Sequence, residues 1–267
     1  MKPSKSFIGL IIVSSAFIFY ASGLYTNLQT DSALEIVDFS IIKDAERSQD
    51  IPSNPNRSPF YGDLHVHTKY SFDAYIFGVT NTPYDAYRYA TGEGITHPLG
   101  YEMKLREPLD FYAVTDHGFY MGMVENYADT SSKISQQEWT KPFHNINRAD
   151  NITLASGPQR ANIFSSVLTQ AIIQPYPLWH PKVIQAWLTK NLQLALTSFD
   201  YNVHKSAWAD VANAAEEFNN PGTFTTFIGY EFTTSTAVEG GNLHRNVIFN
   251  SSNTPIRPWT RIDSLNP

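Results

Sequence analysis

The chain of 267 residues contains no cysteine. That absence excludes disulfides, thiolate zinc sites, cysteine nucleophiles and a lipid-modified N-terminal cysteine, so any metal must be held by histidine and carboxylate. Positive charge is also scarce: 19 Lys and Arg against 25 Asp and Glu leave a formal charge of -6, with a pI near 5.7. The basic residues are scattered singly and leave no electrostatic footprint for DNA, RNA or an anionic membrane surface, so nucleic acid is not an expected partner. The sequence has no internal repeat, no Gly-rich phosphate loop and no nucleophile-elbow serine. What remains is 42% apolar and 14% aromatic, enough for a packed core in one large domain or two small ones.

Residues 1–24 have the pattern of an export signal. Lys2 and Lys5 form a positive start, residues 7–20 an apolar run, and Ala21, Ser22 and Gly23 a small-residue end. The alternative is an uncleaved anchor, since residues 7–24 come to about 18 mostly apolar positions, the lower limit for a membrane-spanning helix. Either way the bulk of the chain is expected outside the cytoplasm, periplasmic or extracellular, with the membrane touched only through this segment. Residues 25–59 are polar and interrupted by Pro52, Pro55 and Pro59, which predicts a linker, with a folded domain over 60–267 and ordered structure from Phe60 onward.

Within that domain the pattern alternates. A strand is expected over 61–67 and, after Thr82 as N-cap and Pro83 as the first helical residue, a short helix over 84–90 that ends at Gly92 and Gly94. The β-prone run 109–115 leads into Asp116, His117 and Gly118. Residues 119–180 show no sustained period. Helical spacing returns over 182–191 and over 203–218, the latter with Val203, Ala207, Val211 and Ala214/Ala215 on one side. Strands follow over 223–233, carrying Glu231, and over 243–249, carrying His244 and entered from a Glu239-Gly240-Gly241 turn. Alternating strands and helices predict an α/β fold with a largely parallel sheet.

The chemistry concentrates at strand ends. If 63–67 is a strand, Asp63, His65 and His67 share one face and Leu64 and Val66 the other, so two imidazoles converge on one ion while the opposite face packs. Asp73, six residues after His67, can return from the next loop as a harder oxygen ligand. His-x-His alone is a weak signal, but Asp116-His117, Glu231 and His244 add metal-type residues at or near three further strand ends, where parallel α/β folds place their function. His97, His144, His180 and His204 lack such context and read as ordinary structural histidines.

These residues carry a resemblance. The run 62–68, Gly-Asp-Leu-His-Val-His-Thr, with Ser71-Phe72-Asp73, then Ala113-Val-Thr-Asp-His117, then Gly229-Tyr230-Glu231, resembles the PHP (polymerase and histidinol phosphatase) superfamily of metal-dependent phosphoesterases. More closely, 61–74 and the run 241–249, Gly-Asn-Leu-His-Arg-Asn-Val-Ile-Phe, are similar to the bacterial family known as domain of unknown function 3604, over roughly residues 58–260. The resemblance implies a distorted (β/α) barrel with two or three divalent transition ions, zinc, manganese or iron, at one mouth. It implies that His65 and His67 hold a first metal, Asp73 and His117 a second, that Glu231 bridges, and that His244 serves a third. Asp116 is expected to orient its neighbour or a bound water, and Arg245, next to a ligand, to clamp a phosphate or sulfate oxygen. PHP proteins carry a further His and a terminal Asp-x-His on later strands; nothing after His244 here supplies a His. The four strands count half of the eight that usually close a β/α barrel, so the expectation is a C-terminally truncated member, with an incomplete barrel and low activity by itself.

The expected function is therefore exported, metal-dependent hydrolysis of a small phosphoester by activated water, with Asp116 and Arg245 as the catalytic candidates. The alternatives are a hydrolase of sulfate or other esters, and a non-catalytic binding module with an incomplete centre.

Overall fold

The computed structural model describes residues 36–39, 56, 58–173, 199–235, 242–260 and 263. The export segment 1–24, the expected helix 182–191, His180 and the turn at 239–241 lie outside the described residues. Among the described residues no helix is long and apolar enough to cross a membrane.

In chain order the elements are β1 (Ile36–Asp38), β2 (Gly62–Val66), α1 (Phe72–Ile76), α2 (Pro83–Ala90), the small strands β3 (Ile95–Thr96) and β4 (Glu102–Met103), and β5 (Phe111–Val114). There follow α3 (Met123–Ala128), three 3-10 turns, α4 (Gly157–Ile173), α5 (Tyr201–Phe218), β6 (Thr225–Thr226), β7 (Gly229–Ser235), β8 (Asn242–Ile248) and β9 (Asn253–Pro255). The result is a mixed α/β fold with small sheets and no closed barrel among the described residues.

Three strands run parallel in the order β2-β5-β6, with Gly62 opposite Phe111 and Phe111 opposite Thr225. The expected strand 223–233 is interrupted after Thr226 and resumes at Gly229 as β7. β7 runs beside the extension of β5, where His117 bridges Glu231 in parallel, and pairs antiparallel with β8 from Gly229–Ile248 to Ser235–Asn242. The sheet is thus less parallel than the alternating pattern predicts. The physical reason is the short interval between Ser235 and Asn242, which suits a hairpin; a parallel return needs a crossover of about a dozen residues or more. Gly229 permits the close approach, because a Cβ there would stand 2.9 Å from the Val247 carbonyl oxygen. An ordered strand also precedes Phe60: β1, inside the stretch read as linker, pairs antiparallel with β9.

α2 forms as its sequence dictates. Thr82 caps it by accepting from the Asp85 amide, while the Asp85 carboxylate accepts from the Thr82 amide, a reciprocal capping box ahead of Pro83. α5 starts at Asp200, whose carboxylate accepts from the amides of Asn202 and Val203, and buries Ala207, Trp208, Val211, Ala214 and Ala215. These pack with Tyr87, Tyr112, Val114 and Tyr230 into the core beneath the parallel strands. Trp208 is fully buried and donates to the Pro255 carbonyl at 2.7 Å, so one side chain ties α5 to β9; burying a side chain of this kind contributes about 3 kcal/mol. The stretch without sequence period, 119–180, builds as far as Ile173 a second core in which Phe72, Ile76, Phe119, Met123, Tyr127 and Phe143 meet. Arg160 of α4 is buried there and donates to the carbonyls of Ile76 and Ile146, both at 2.6 Å. Asp73 sits in the first turn of α1 and not in a loop, with α1 backed by this second core and the β5 end by the first.

Candidate metal centre

Glu231 is the hub. Its side chain is 1% exposed, and Oε2 lies 3.0 Å from His65 Nε2 and 2.8 Å from His67 Nε2. Oε1 contacts His244 Nδ1 and lies 3.5 Å from His117 Nδ1. The backbone holds it in place: the Glu231 amide donates to the Asp116 carbonyl, and the Gly118 amide donates to the Glu231 carbonyl, both at 2.9 Å. A Cβ on Gly118 would fall 2.6 Å from the Tyr230 ring, so a larger residue there would push β7 off the β5 extension.

Asp73 is the second acid. Oδ1 stands 3.3 Å from His67 Nδ1 and Oδ2 stands 3.4 Å from His117 Nε2. Ser71, at the N-cap of α1, makes no capping bond with its side chain; its hydroxyl donates to Asp73 Oδ1 at 2.6 Å and lies 3.1 Å from His67 Nδ1. His65, His67 and Glu231 form one group of potential ligands, His67, Asp73 and His117 a second, and His117, Glu231 and His244 a third, each with donor atoms within 4.8 Å of one another. His65 in β2 and His67 one residue beyond its end both reach Glu231, as alternation predicts. The register shifts between Asp63 and Val66, however, and Leu64, expected on the packed face, is exposed.

The electrostatics follow from burial and pairing. Burial works against a charged His67, yet the carboxylates of Asp73 and Glu231 outweigh it and hold the imidazolium up to about 10. For Glu231 burial favours the neutral acid, but the hydrogen bonds of His67, His244 and His65 and the charge of His117 prevail and depress it to about 2. Asp73 is likewise held well below the carboxylate range against its burial by His117 and His67. Metal-free, the His67 imidazolium is held between the carboxylates of Asp73 and Glu231, and a divalent cation would have to displace its proton to use that nitrogen.

Asp116 does something else. It is fully buried, and burial raises it to about 6 despite two bonds from Thr68, whose amide donates to Oδ1 at 2.5 Å and whose hydroxyl donates to Oδ2 at 2.6 Å. The side chain clamps the loop after β2 to the end of β5 and belongs to none of the three ligand groups. Arg245 is not brought to the site. In the β7/β8 register Glu231 faces Asn246, Thr233 faces His244 and Phe232 faces Arg245, so Arg245 is exposed on the opposite face from His244. An arginine adjacent in sequence to a strand ligand points away from that ligand's partners, which corrects its expected role as an oxyanion clamp.

The other described histidines take structural roles. His97 stacks on Tyr101 with ring centroids 4.3 Å apart, His144 Nε2 lies 3.1 Å from the Ser135 carbonyl, and His204 is buried with Nδ1 3.4 Å from the Met121 carbonyl. The sequence reading missed three contributors. Thr233 Oγ1 is 2.7 Å from His117 Nδ1 and donates to Glu231 Oε1 at 3.2 Å. Asn246 donates to the Leu64 carbonyl at 2.7 Å, tying β8 to β2. Thr68 holds Asp116. The signal for Thr233 and Asn246 was present, since both fall at even spacing from Glu231 and His244 along their strands.

No curated protein and no solved structure matches the chain. A family model described as "Protein of unknown function (DUF3604)" matches residues 54–267, which contain every ligand group of the centre, and the chain belongs to that family.

Proposed function

We propose that the chain is a metal-dependent hydrolase of small phosphoesters, working outside the cytoplasm with two or three divalent zinc, manganese or iron ions and related to the PHP phosphoesterases. The observation that supports this best is the buried Glu231 carboxylate facing nitrogens of four histidines, with Asp73 on the far side of two of them. The mixed imidazole and carboxylate donor set suits a borderline transition ion. Such ions supply Lewis acidity, making water nucleophilic at neutral pH and neutralising charge on a phosphoryl group. The barrel of that superfamily belongs to the same reading, supported by the parallel order of β2, β5 and β6 and by His67 and His117 just beyond strand ends.

The residues divide the work. His65, His67, Asp73, His117, Glu231 and His244 are the ligands. Asp116 is a positioning residue that fixes, through Thr68, the loop from His67 to Ser71 that leads into α1 and Asp73. His65, 56% exposed, and His244, 38% exposed, form the open side by which an ester reaches the centre. The reaction requires no side-chain nucleophile, in keeping with a chain that lacks cysteine. The scarcity of basic residues favours a small substrate over a polyanion.

The test is elemental analysis after purification without chelators, followed by a screen of paired phosphate and sulfate esters with Glu231→Gln as control. Bound metal with phosphoester turnover that this substitution abolishes is the expected result. Turnover of sulfate esters alone would move the assignment to that class, and bound metal without any turnover would leave a binding module. Absence of metal, with no effect of His65→Ala, would remove the proposal altogether.

A further inference from the structure

The three ligand groups share histidines, and one imidazole nitrogen cannot serve two of them. His117 is the sharpest case. It belongs to the group with His67 and Asp73 and to the group with Glu231 and His244. Its Nε2 faces Asp73 Oδ2 at 3.4 Å, and its Nδ1 faces Glu231 Oε1 at 3.5 Å. Thr233 Oγ1 is closer to Nδ1 than that carboxylate oxygen, at 2.7 Å.

A hydroxyl has one proton and two lone pairs. Thr233 Oγ1 lies 3.2 Å from Glu231 Oε1, and an ionised carboxylate can only accept. The Thr233 proton therefore goes to Glu231, and its oxygen accepts from His117 Nδ1–H. Glu231 and Thr233, at alternate positions of β7, present these groups on one face. Thr233 is buried, so water does not replace the hydroxyl if it is removed.

Resting on the metal-binding reading above, we propose that Thr233 is a positioning residue that keeps the proton on His117 Nδ1 and so commits His117, through Nε2, to the ion held with Asp73. The Glu231/His244 group then loses its third donor. A partner that fixes the far nitrogen of a ligating histidine sets both tautomer and ring orientation, and removing such a partner costs about 10- to 100-fold in metal affinity.

The experiment uses the full chain labelled with 15N on histidine, with His117 assigned by comparison with His117→Gln. In the metal-free protein His117 Nδ1 should carry a proton, whether the ring is neutral or charged. Thr233→Val should lose the slow exchange of that proton with water and Thr233→Ser should restore it. On addition of zinc, the Nε2 signal of His117 should shift while Nδ1 stays protonated, and Thr233→Val should weaken that step by about tenfold or more. A bare Nδ1 in the wild-type protein, zinc at Nδ1, or an Nδ1 signal indifferent to Thr233→Val would overturn the proposal. Zinc that shifts no histidine signal would defeat the metal-binding reading instead, because the proton on Nδ1 is read without metal.

Discussion

The floor and the mouth of the centre are built differently. On the floor, Asp116, Glu231, His117 and Thr68 are buried, and each polar side chain has a partner on another element. At the mouth, His65 and His244 are exposed and both turn to the same carboxylate, Glu231. The contrast shows that position and charge are set from beneath, by hydrogen bonds between β2, β5 and β7, while the exposed His65 and His244 side chains have room to adjust.

The largest break in that comparison is Glu231→Gln, which removes the acceptor common to floor and mouth. Zinc affinity, measured by competition with a chelating dye, should fall by about 100-fold; an unchanged affinity would show that Glu231 is not the hub. Next, Asp116→Ala leaves the buried Thr68 amide and hydroxyl without their acceptor and should cost about 3 kcal/mol in urea unfolding. The pH dependence sharpens the contrast without mutation. His67 is raised from 6.5 to about 10, so the stability it contributes to the metal-free protein is complete below 6.5 and is lost as pH climbs toward 10. Melting curves in chelator should show this alkaline loss, and His67→Gln should flatten it. Metal affinity should run the other way and increase over the same interval, because the ion competes with the protons.

Smaller effects belong to the mouth. His65→Ala should leave unfolding within about 0.5 kcal/mol of wild type while weakening zinc binding by about tenfold. Equal losses in both would mean that His65 is structural. Smallest of all, Arg245→Ala should alter stability by less than about 0.5 kcal/mol and leave metal binding and turnover unchanged. A drop in turnover would bring Arg245 back to the site.

Much of the site could be read from spacing because the relevant rule is local. Alternation along β2 placed His65 and His67 together, and Thr82-Pro83 announced α2 by capping chemistry alone. Arg245 was misplaced by neglecting the same rule, since a residue next to His244 on a strand must turn to the other face. The antiparallel course of β8 was legible in the short interval after Ser235 but was overridden by the wider α/β pattern. Residues 119–156 were illegible for another reason: short 3-10 turns and a 6-residue α3 bury aromatic residues by tertiary packing, and no helical period survives in them; the 17-residue α4 that follows was missed as well. β1 was missed because its strand partner among the described residues, β9, lies more than two hundred positions later.

The two backbone bonds that seize Glu231, one from its own amide to Asp116 and one to its carbonyl from Gly118, also divide the β7/β8 hairpin in time. Amides at Glu231 and Gly118 can exchange with deuterium only when β7 separates from the β5 extension. Those of the edge strand β8 near His244 are released by fraying of the hairpin alone. His244 can therefore breathe on its own clock while the Glu231 carboxylate stays at rest; under the proposed function, substrate entry would not require the hub to re-form.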